Sequence, residues 1–243
     1  DVHTLSAAPR LLAQIVAVAL GLTALPAEGL IFQGLLPDWL DLLVSGLAWV
    51  WFVNLFNFMD GIDGITSIET VTIAGGLILL SGLAGPVGIS AAVAGAALGF
   101  LVWNRPPARI FLGDVGSVPL GFVLGWLLLS LAAEGQWAAA LLLPLYYLAD
   151  ATITLIKRIV RREAVWQAHR SHFYQQAVRA LEGPDHTTRT AAHRKVDGAI
   201  VLCNLILMAA AWVSVAHPAL TGTALTVGAL AVAALLWYFA TRS

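Results

Sequence analysis

Long apolar runs alternate with short polar segments along the whole chain. Eight of these runs reach the about 17–25 residues that a membrane-spanning helix needs, and they cover residues 10–26, 38–56, 67–83, 86–103, 117–133, 136–156, 198–216 and 220–240. Lipid offers the backbone no hydrogen-bond partners, so the runs should be helices packed together. The pattern predicts an all-α fold: a polytopic transmembrane helical bundle with about eight spans.

We expect the runs to pack as one bundle, which makes residues 1–243 a single integral-membrane domain. Ala91, Gly95 and Gly99 recur at four-residue spacing in the fourth run, which permits close contact with another helix, although core packing alone could explain them. The only long polar stretch, 157–197, is predicted to be a cytoplasmic loop. Because the chain opens on Asp1 in what reads as the middle of a loop, we expect further spans to precede it.

Composition excludes a soluble protein: 59% of the residues are hydrophobic and 11% are charged, against about 25% charged in soluble domains. The net charge of -1 provides no field that would attract nucleic acid. The single cysteine, Cys203, cannot form an internal disulfide and falls inside an apolar run.

Positive charge is confined to one set of loops. If eight spans alternate sides, all thirteen lysines and arginines fall on the side that holds residues 57–66, 104–116 and 157–197. The positive-inside rule makes this side cytoplasmic. Two polar motifs that are far apart in sequence are therefore predicted to face the cytoplasm together.

These motifs carry three aspartates next to apolar runs. The first motif, 57–64, contains Asp60 and Asp63, and the second, 111–117, contains Asp114. A carboxylate at membrane depth costs about 2.5–3.5 kcal/mol on insertion scales, so it calls for a functional explanation. Magnesium prefers oxygen ligands together with the phosphates of its substrate. The motifs thus suit metal-assisted phosphoryl transfer.

The local geometry of the motifs can be anticipated in part. Asn57, Asp60 and Asp63 are spaced by three and would share one face of a helix that Gly61 and Gly64 end. Ser117 would cap the next helix.

Two structural alternatives remain for the aspartates. They could cap helix ends, or Arg105 and Arg109 could neutralise them.

A third polar motif lies at residues 169–176. His169 and His172 are three residues apart, which could suggest zinc, but neither a nearby cysteine nor an H-E-x-x-H pattern accompanies them. With Arg170 between them, the pair is better suited to a diphosphate. His186 and His193 are expected to be solvated loop residues.

The three motifs, in this order, resemble those of the polyprenyl-phosphate N-acetylhexosamine-1-phosphate transferases of glycosyltransferase family 4. Relatives of this kind include the phospho-MurNAc-pentapeptide translocase and the enzymes that start O-antigen and teichoic-acid chains. The resemblance extends over nearly the whole chain, and the form His-Arg-Ser-His-Phe-Tyr-Gln at residues 169–175 is nearer to the O-antigen branch. It implies a bacterial inner-membrane transferase with its active site facing the cytoplasm.

The resemblance implies a Mg²⁺-dependent reaction, with Mn²⁺ as an alternative, between a UDP-N-acetylhexosamine and undecaprenyl phosphate. UMP leaves, and a cell-surface polysaccharide such as O-antigen is begun. UDP-GlcNAc is the default donor, and UDP-linked QuiNAc or FucNAc are alternatives.

The partners are these substrates and the lipid bilayer, without nucleic acid, and the chain could pair as a homodimer.

The resemblance also assigns roles to individual residues. Asp114 would bind the magnesium ion, and Asp1 would be the second member of an acidic pair that binds the lipid phosphate or acts as a base. The other catalytic residues would be Asp60, Asp63 and His172. Substrate would contact Asn57, Gly61, Asn104, Arg109, Phe111, His169 and Arg170, with Phe111 stacked on the uracil.

Two other classes of protein stay open at this stage. A transporter could carry ions on buried carboxylates, but it would place charges near mid-span in broken helices. A CDP-alcohol phosphotransferase also uses membrane aspartates and a metal, yet its D-G-x-x-A-R pattern is missing, because Asp63-Gly64 is followed by Ile65, Thr66 and Ser67.

Overall fold

The computed structural model describes residues 7–26, 30–80, 87–163, 170–183 and 185–242. Over these ranges the chain forms α-helices, one 3-10 turn at Pro218–Leu220, and no strand. The helices are α1 (Ala7–Leu22), α2 (Asp38–Phe58), α3 (Ile65–Leu80), α4 (Val87–Asn104), α5 (Gly113–Ala133), α6 (Trp137–Leu142), α7 (Leu145–Val160), α8 (Phe173–Leu181), α9 (His186–Ala216) and α10 (Thr221–Ala240).

Helical structure is present in each of the eight predicted runs, which confirms the all-α membrane fold. In the part of the chain described, five helical segments are long and apolar enough to cross a membrane: α2, α4, α5, α9, and α10 with its preceding turn. The apolar helices α1 and α3 are shorter. The sixth run is divided into α6 and α7, because Pro144 has no N–H to continue the helix.

The segment predicted as a loop at 157–197 is largely helical. It contains the end of α7, all of α8 and the first turns of α9, which begins at His186 well before the apolar run at 198. The carboxylate of Asp185 accepts the Thr188 N–H at 2.7 Å and so satisfies one of the free donors at the start of α9. This polar extension of α9 brings side chains towards the two aspartate motifs.

Aromatic side chains fill the centre of the bundle, where α2 packs against α5 and α7. Trp49 of α2 is 1% exposed, stacks on Phe122 of α5 with 4.8 Å between ring centroids, and donates its indole N–H to the Phe122 carbonyl. Phe56 and Tyr147 are also completely buried and lie against each other. The first contact joins α2 to α5, which carries Asp114, and the second joins the end of α2 that precedes Asp60 to α7.

The small residues Ala91, Gly95 and Gly99 do not make the close contact that their spacing permits, although α4 itself packs against α3. No atom lies within 4 Å of where a Cβ would stand on Gly95 or Gly99, and Ala91 is exposed. At Gly121 of α5, by contrast, a Cβ would stand 3.1 Å from the backbone of Val53 in α2. The spacing of small residues alone did not show which of them lie against a neighbouring helix.

An apolar groove of about 590 Å³ opens between α2, α5 and α6, in the half of the bundle away from the aspartate motifs. Its lining includes Trp49, Phe52, Leu128 and Trp137. In a bilayer, the hydrocarbon chains of lipids would occupy this groove.

The close approach of α2 and α5 predicts the effect of a larger side chain at Gly121. Gly121→Leu must displace the α2 backbone and should lower the free energy of unfolding by about 1–3 kcal/mol. The measurement is thermal unfolding of the purified protein in detergent. Gly99→Leu, which meets no neighbour, is the matched control, and equal unfolding temperatures for the two variants would contradict the packing described.

Candidate functional site at the polar end of the bundle

The first two motifs meet at one end of the bundle. The Gly113 N–H binds the carboxyl group of Asp60, and the Ser117 hydroxyl donates a 2.6 Å hydrogen bond to Oδ1 of Asn57. The first contact joins the loop after α2 to the start of α5, and the second joins the last turn of α2 to α5. The prediction that the two motifs share one side of the bundle is therefore confirmed.

The helix that begins the first motif is shorter than predicted. Since α2 ends at Phe58, Asn57 is helical, whereas Asp60 and Asp63 lie in the connection to α3 and do not share a helix face with it. Gly64, which has a φ of 84°, turns the chain into α3 instead of ending α2. The connection thus presents two carboxylates from irregular backbone.

Asp60 lies partly buried between α3 and α5. Its carboxyl group accepts the Thr66 hydroxyl at 2.7 Å. Burial raises the pKa of Asp60 above its ordinary value, and the nearby Asp114 raises this pKa further, while hydrogen bonds from Thr66 and Gly113 oppose the rise. Asp60 and Asp114 form what we call the carboxylate pair.

Asp114 is the accessible member of the carboxylate pair. It lies in the first turn of α5 with 49% of its side chain exposed, and Nη1 of Arg10 contacts its carboxylate at 2.7 Å. The neutralising residue is thus Arg10 of α1, and neither Arg105 nor Arg109. An exposed ion pair of this kind contributes about 0–1 kcal/mol, so a divalent cation could displace Arg10.

The sequence suggested that Ser117 caps α5, but the structure shows that it does not. The helix begins at Gly113, without a side-chain cap, and Ser117 is buried one turn later. Its hydroxyl bonds the Gly113 carbonyl and Asn57, so it joins α5 to α2.

Asp63 points away from the start of α5, towards the connection between α4 and α5 and towards α9. Its carboxylate accepts the Ala108 N–H at 2.9 Å and lies 3.5 Å from Nδ1 of His193. The opposite ring nitrogen of His193 lies 3.5 Å from Glu182. His193 is therefore part of the site's surroundings, and the expectation that it is a solvated loop residue is wrong, because α9 begins earlier than its apolar run.

Asn104 joins the two motifs through their backbones. Its Oδ1 accepts the Gly64 N–H at 3.0 Å, and its Nδ2 donates to the Ile110 carbonyl at 2.9 Å. The side chain is buried. In this structure its amide group positions the loops, and direct contact with substrate stays a prediction.

The other predicted binding residues differ in their accessibility. Phe111, three positions before Asp114, has 78% of its surface exposed, and its contact with a base stays a prediction. Arg109 lies over the Trp103 ring, and Arg170 is exposed. Asp1 and His169 lie outside the described residues.

His172 begins α8 and is buried. Its Nδ1 is 3.1 Å from Oδ1 of Asp150 on α7. The Asp150 carboxylate also accepts the backbone N–H groups of Phe173 and Tyr174, the first two of α8. Asp150 therefore caps α8 from another helix. The sequence reasoning missed it, although a charged residue inside the sixth apolar run was a signal that could have found it.

The third motif contacts the first through Tyr174. The Tyr174 hydroxyl donates to the Met59 carbonyl at 3.0 Å, and Gly61 lies directly against Tyr174 and Gln175. All three motifs thus converge at one end of the bundle, but it is Tyr174 that makes the connection, while His172 is turned towards Asp150. A catalytic role for His172 stays a prediction.

Within the described ranges, no three His, Cys, Asp or Glu side chains are grouped as a complete metal centre. Two neighbouring carboxylates, one of them accessible, do fit magnesium, which commonly takes one or two carboxylates and completes its shell with water and substrate phosphate. Burial is the main cause of the raised pKa of Asp60, and the charge of Asp114 adds to it; a cation between the two groups would offset this second contribution. Zinc is not favoured by this donor set.

Comparison with known proteins identifies the family. A family model described as glycosyl transferase family 4 matches residues 1–132, more than half of the chain. The chain belongs to glycosyl transferase family 4.

Individual relatives agree with this assignment. A phospho-N-acetylmuramoyl-pentapeptide-transferase of Streptococcus thermophilus is 40% identical over 113 residues, which are 45% of this family 4 chain and 33% of the relative. A protein of Bacillus subtilis named probable undecaprenyl-phosphate N-acetylglucosaminyl 1-phosphate transferase is 27% identical over 151 residues, 57% of this chain and 40% of the relative. The chain thus aligns with well under half of each relative.

The cap that Asp150 provides predicts the behaviour of α8. Asp150→Ala removes the acceptor for two backbone N–H groups and for His172, so the local opening free energy of α8 should fall by about 1–3 kcal/mol. Hydrogen exchange of the α8 amides measures this change. Thr154→Val, which removes only a 3.3 Å hydroxyl contact to Asp150, is the control, and unchanged exchange in Asp150→Ala would refute the capping role.

The raised pKa of Asp60 predicts a pH dependence in magnesium-free buffer. Folding favours the protonated carboxyl, so its ionisation costs nothing below the ordinary value of 3.8 and destabilises the fold as the pH rises through the raised value. Asp60→Asn should therefore gain stability relative to the unmodified chain as the pH rises above the ordinary pKa of 3.8. Thermal unfolding at increasing pH tests it, with the exposed Asp38→Asn as control. A constant difference at every pH would contradict the prediction.

Proposed function

We propose that this family 4 chain carries out the magnesium-dependent transfer of an N-acetylhexosamine 1-phosphate from a UDP-sugar to undecaprenyl phosphate, with release of UMP. The observation that carries the proposal is the carboxylate pair, which two separate motifs bring together at one end of an apolar bundle. The product would be the lipid-linked first sugar of a cell-surface polysaccharide such as O-antigen.

The proposed reaction is a displacement at phosphorus. An oxygen of the lipid phosphate forms a bond to the sugar-linked phosphorus of the donor, the bond to the UMP oxygen breaks, and UMP leaves with the electron pair. Both reactants carry phosphate charge, so the site must offset repulsion between them. Magnesium, when bound, would supply that neutralisation.

The exposure and contacts of each residue suggest its role in the proposed reaction. Asp60 and Asp114 would hold the metal ion, and Arg10, which now contacts Asp114, would be released to face a phosphate group. Phe111 would stack on the uracil, since its ring is exposed three positions before Asp114. Asn57 is held by Ser117 and would line the ribose side of the cleft.

The membrane setting supports a lipid acceptor. The carboxylate pair lies where α2 and α5, both apolar enough to span a membrane, reach the polar end of the bundle. A polyprenyl phosphate could keep its chain among lipids while its phosphate reaches Asp114. We also propose, from the distribution of lysine and arginine, that this end faces the cytoplasm.

UDP-MurNAc-pentapeptide is the second candidate donor, because the Streptococcus thermophilus relative named phospho-N-acetylmuramoyl-pentapeptide-transferase is 40% identical over its aligned part. The Bacillus subtilis relative, whose name specifies N-acetylglucosaminyl 1-phosphate, aligns over more of the chain. The sequence His169-Arg170-Ser171-His172 in the third motif favours the N-acetylhexosamine donor.

Proteoliposomes with undecaprenyl phosphate and Mg²⁺ provide the test. Each donor is offered separately with its uridine labelled, and UMP release from UDP-N-acetylhexosamine is expected. Asp114→Asn should lower the rate by about 10²–10³-fold, because it removes a charge that acts on the reacting phosphates. Asp38→Asn, at the other end of α2, should retain the activity.

Binding is measured separately from turnover. Mg²⁺ with UDP should raise the unfolding temperature of the unmodified chain but not that of Asp114→Asn. If Asp114→Asn turned over either donor at the full rate, the role of this carboxylate would be refuted.

A further inference from the structure

Three arginines line a pocket on the α4 and α9 side of the polar end, away from the carboxylate pair. The pocket has a volume of about 290 Å³ and is lined by Val102, Trp103, Arg105, Pro106, Pro107, Arg109 and Arg194. Its lining contains three guanidinium groups and no carboxylate. Three like charges around one small volume favour the entry of an anion.

The arginines of this pocket have no carboxylate partner of their own. Among the ion pairs of the described residues, none involves Arg105, Arg109 or Arg194. Arg105 and Arg109 are exposed. Their charge is thus available to a ligand, in contrast with that of Arg10.

Two of the three side chains are held in place by contacts that leave their charge in force. Arg194 donates from Nε and Nη2 to the Pro106 carbonyl, at 3.2 and 3.0 Å. The Arg109 guanidinium lies 5.8 Å from the centre of the Trp103 ring, within the range of a cation–π contact. Such fixed guanidinium groups are suited to phosphate oxygens, which they can bind with two parallel hydrogen bonds.

The surface next to the pocket is apolar. Leu98, Val102 and Trp103 of α4 are 51%, 60% and 50% exposed, and Leu98 and Val102 stand one turn apart on the same face. The helix α4 is apolar enough to span a membrane and packs mainly against α3. Acyl chains could therefore lie along α4 while a headgroup enters the pocket. Tryptophan, here Trp103, is typical of the membrane–water interface where headgroups lie.

We propose that this pocket binds the phosphate of an anionic phospholipid headgroup, such as that of phosphatidylglycerol. Basic pockets between membrane helices bind anionic headgroups in this way. The site is distinct from the carboxylate pair, because its lining includes neither Asp60 nor Asp114.

Native mass spectrometry of the purified chain in detergent tests the proposal with phosphatidylglycerol and phosphatidylcholine of the same acyl chains. The unmodified chain should bind phosphatidylglycerol at least about 10-fold more tightly. The double variant R105Q/R194Q should weaken this binding by about 30-fold, which corresponds to about 2 kcal/mol at about 1.4 kcal/mol per factor of ten.

The matched control is R161Q/R162Q, which removes the same charge from exposed residues of the same end of the bundle. It should change phosphatidylglycerol binding by less than about threefold. Equal losses in the two double variants, or no preference over phosphatidylcholine, would overturn the proposal, because diffuse attraction would then explain the binding. If R105Q/R194Q unfolds at a lower temperature, R105Q alone decides, with an expected loss of about fivefold.

Two further probes distinguish the source of the phosphate. Inorganic phosphate at millimolar concentration should not displace phosphatidylglycerol, and undecaprenyl phosphate should bind equally to the unmodified chain and to R105Q/R194Q. If inorganic phosphate competes fully, the pocket takes free phosphate, and if R105Q/R194Q loses only undecaprenyl phosphate, the pocket belongs to the acceptor. Either result would overturn the assignment to a phospholipid.

Discussion

The closeness of Asp60 and Asp114 is the constraint around which the polar end of this bundle is arranged. Two carboxylates that face each other near a membrane repel, and burial of one of them makes its ionisation harder still. The chain offsets this with Thr66 and Gly113 on Asp60 and with Arg10 on Asp114. These contacts come from α1, α3 and α5, so the pair can exist only when three parts of the sequence are packed together. A site for a cation and a phosphate therefore depends on the packing of the apolar helices beneath it.

The connections that hold the pair are themselves fixed by side chains bonded to backbone. Asn104 bridges two loops, Asp63 accepts the N–H of Ala108, and Asp150 supplies the acceptors that the start of α8 lacks. Each of these polar groups satisfies a donor that lipid could not. Buried polar residues at this end of the bundle thus have a structural reason to be there even before any ligand binds. Because the same polar groups stabilise the loops and belong to the site, few charged residues are sufficient for both purposes.

The sequence was sufficient for the membrane-spanning helices but insufficient for their partners. Apolar runs located the membrane-spanning helices because a span has a minimum length, but they did not locate α8. The convergence of the aspartate motifs followed from alternating sides. Three details required the packed structure. The first turns of α9 are polar, so their helical state depends on contacts such as that of His193 with Asp63. Asp150 was concealed within an apolar run. The neighbour of Asp114 is Arg10, over a hundred positions away, and no local pattern encodes that distance. The roles of individual residues towards a substrate are likewise not contained in spacing.

The bond between the Tyr174 hydroxyl and the Met59 carbonyl has a mechanical consequence. It ties the rigid start of α8 to the peptide that immediately precedes Asp60, and Asp150 ties the same start to α7. A displacement of α8 would thus be transmitted to the loop that carries Asp60 and Asp63, without any change in the packing of the membrane-spanning helices. The start of α8 with His172 and the loop with Asp60 should accordingly move together as one stiff unit. The helix α7 would hold this unit in place.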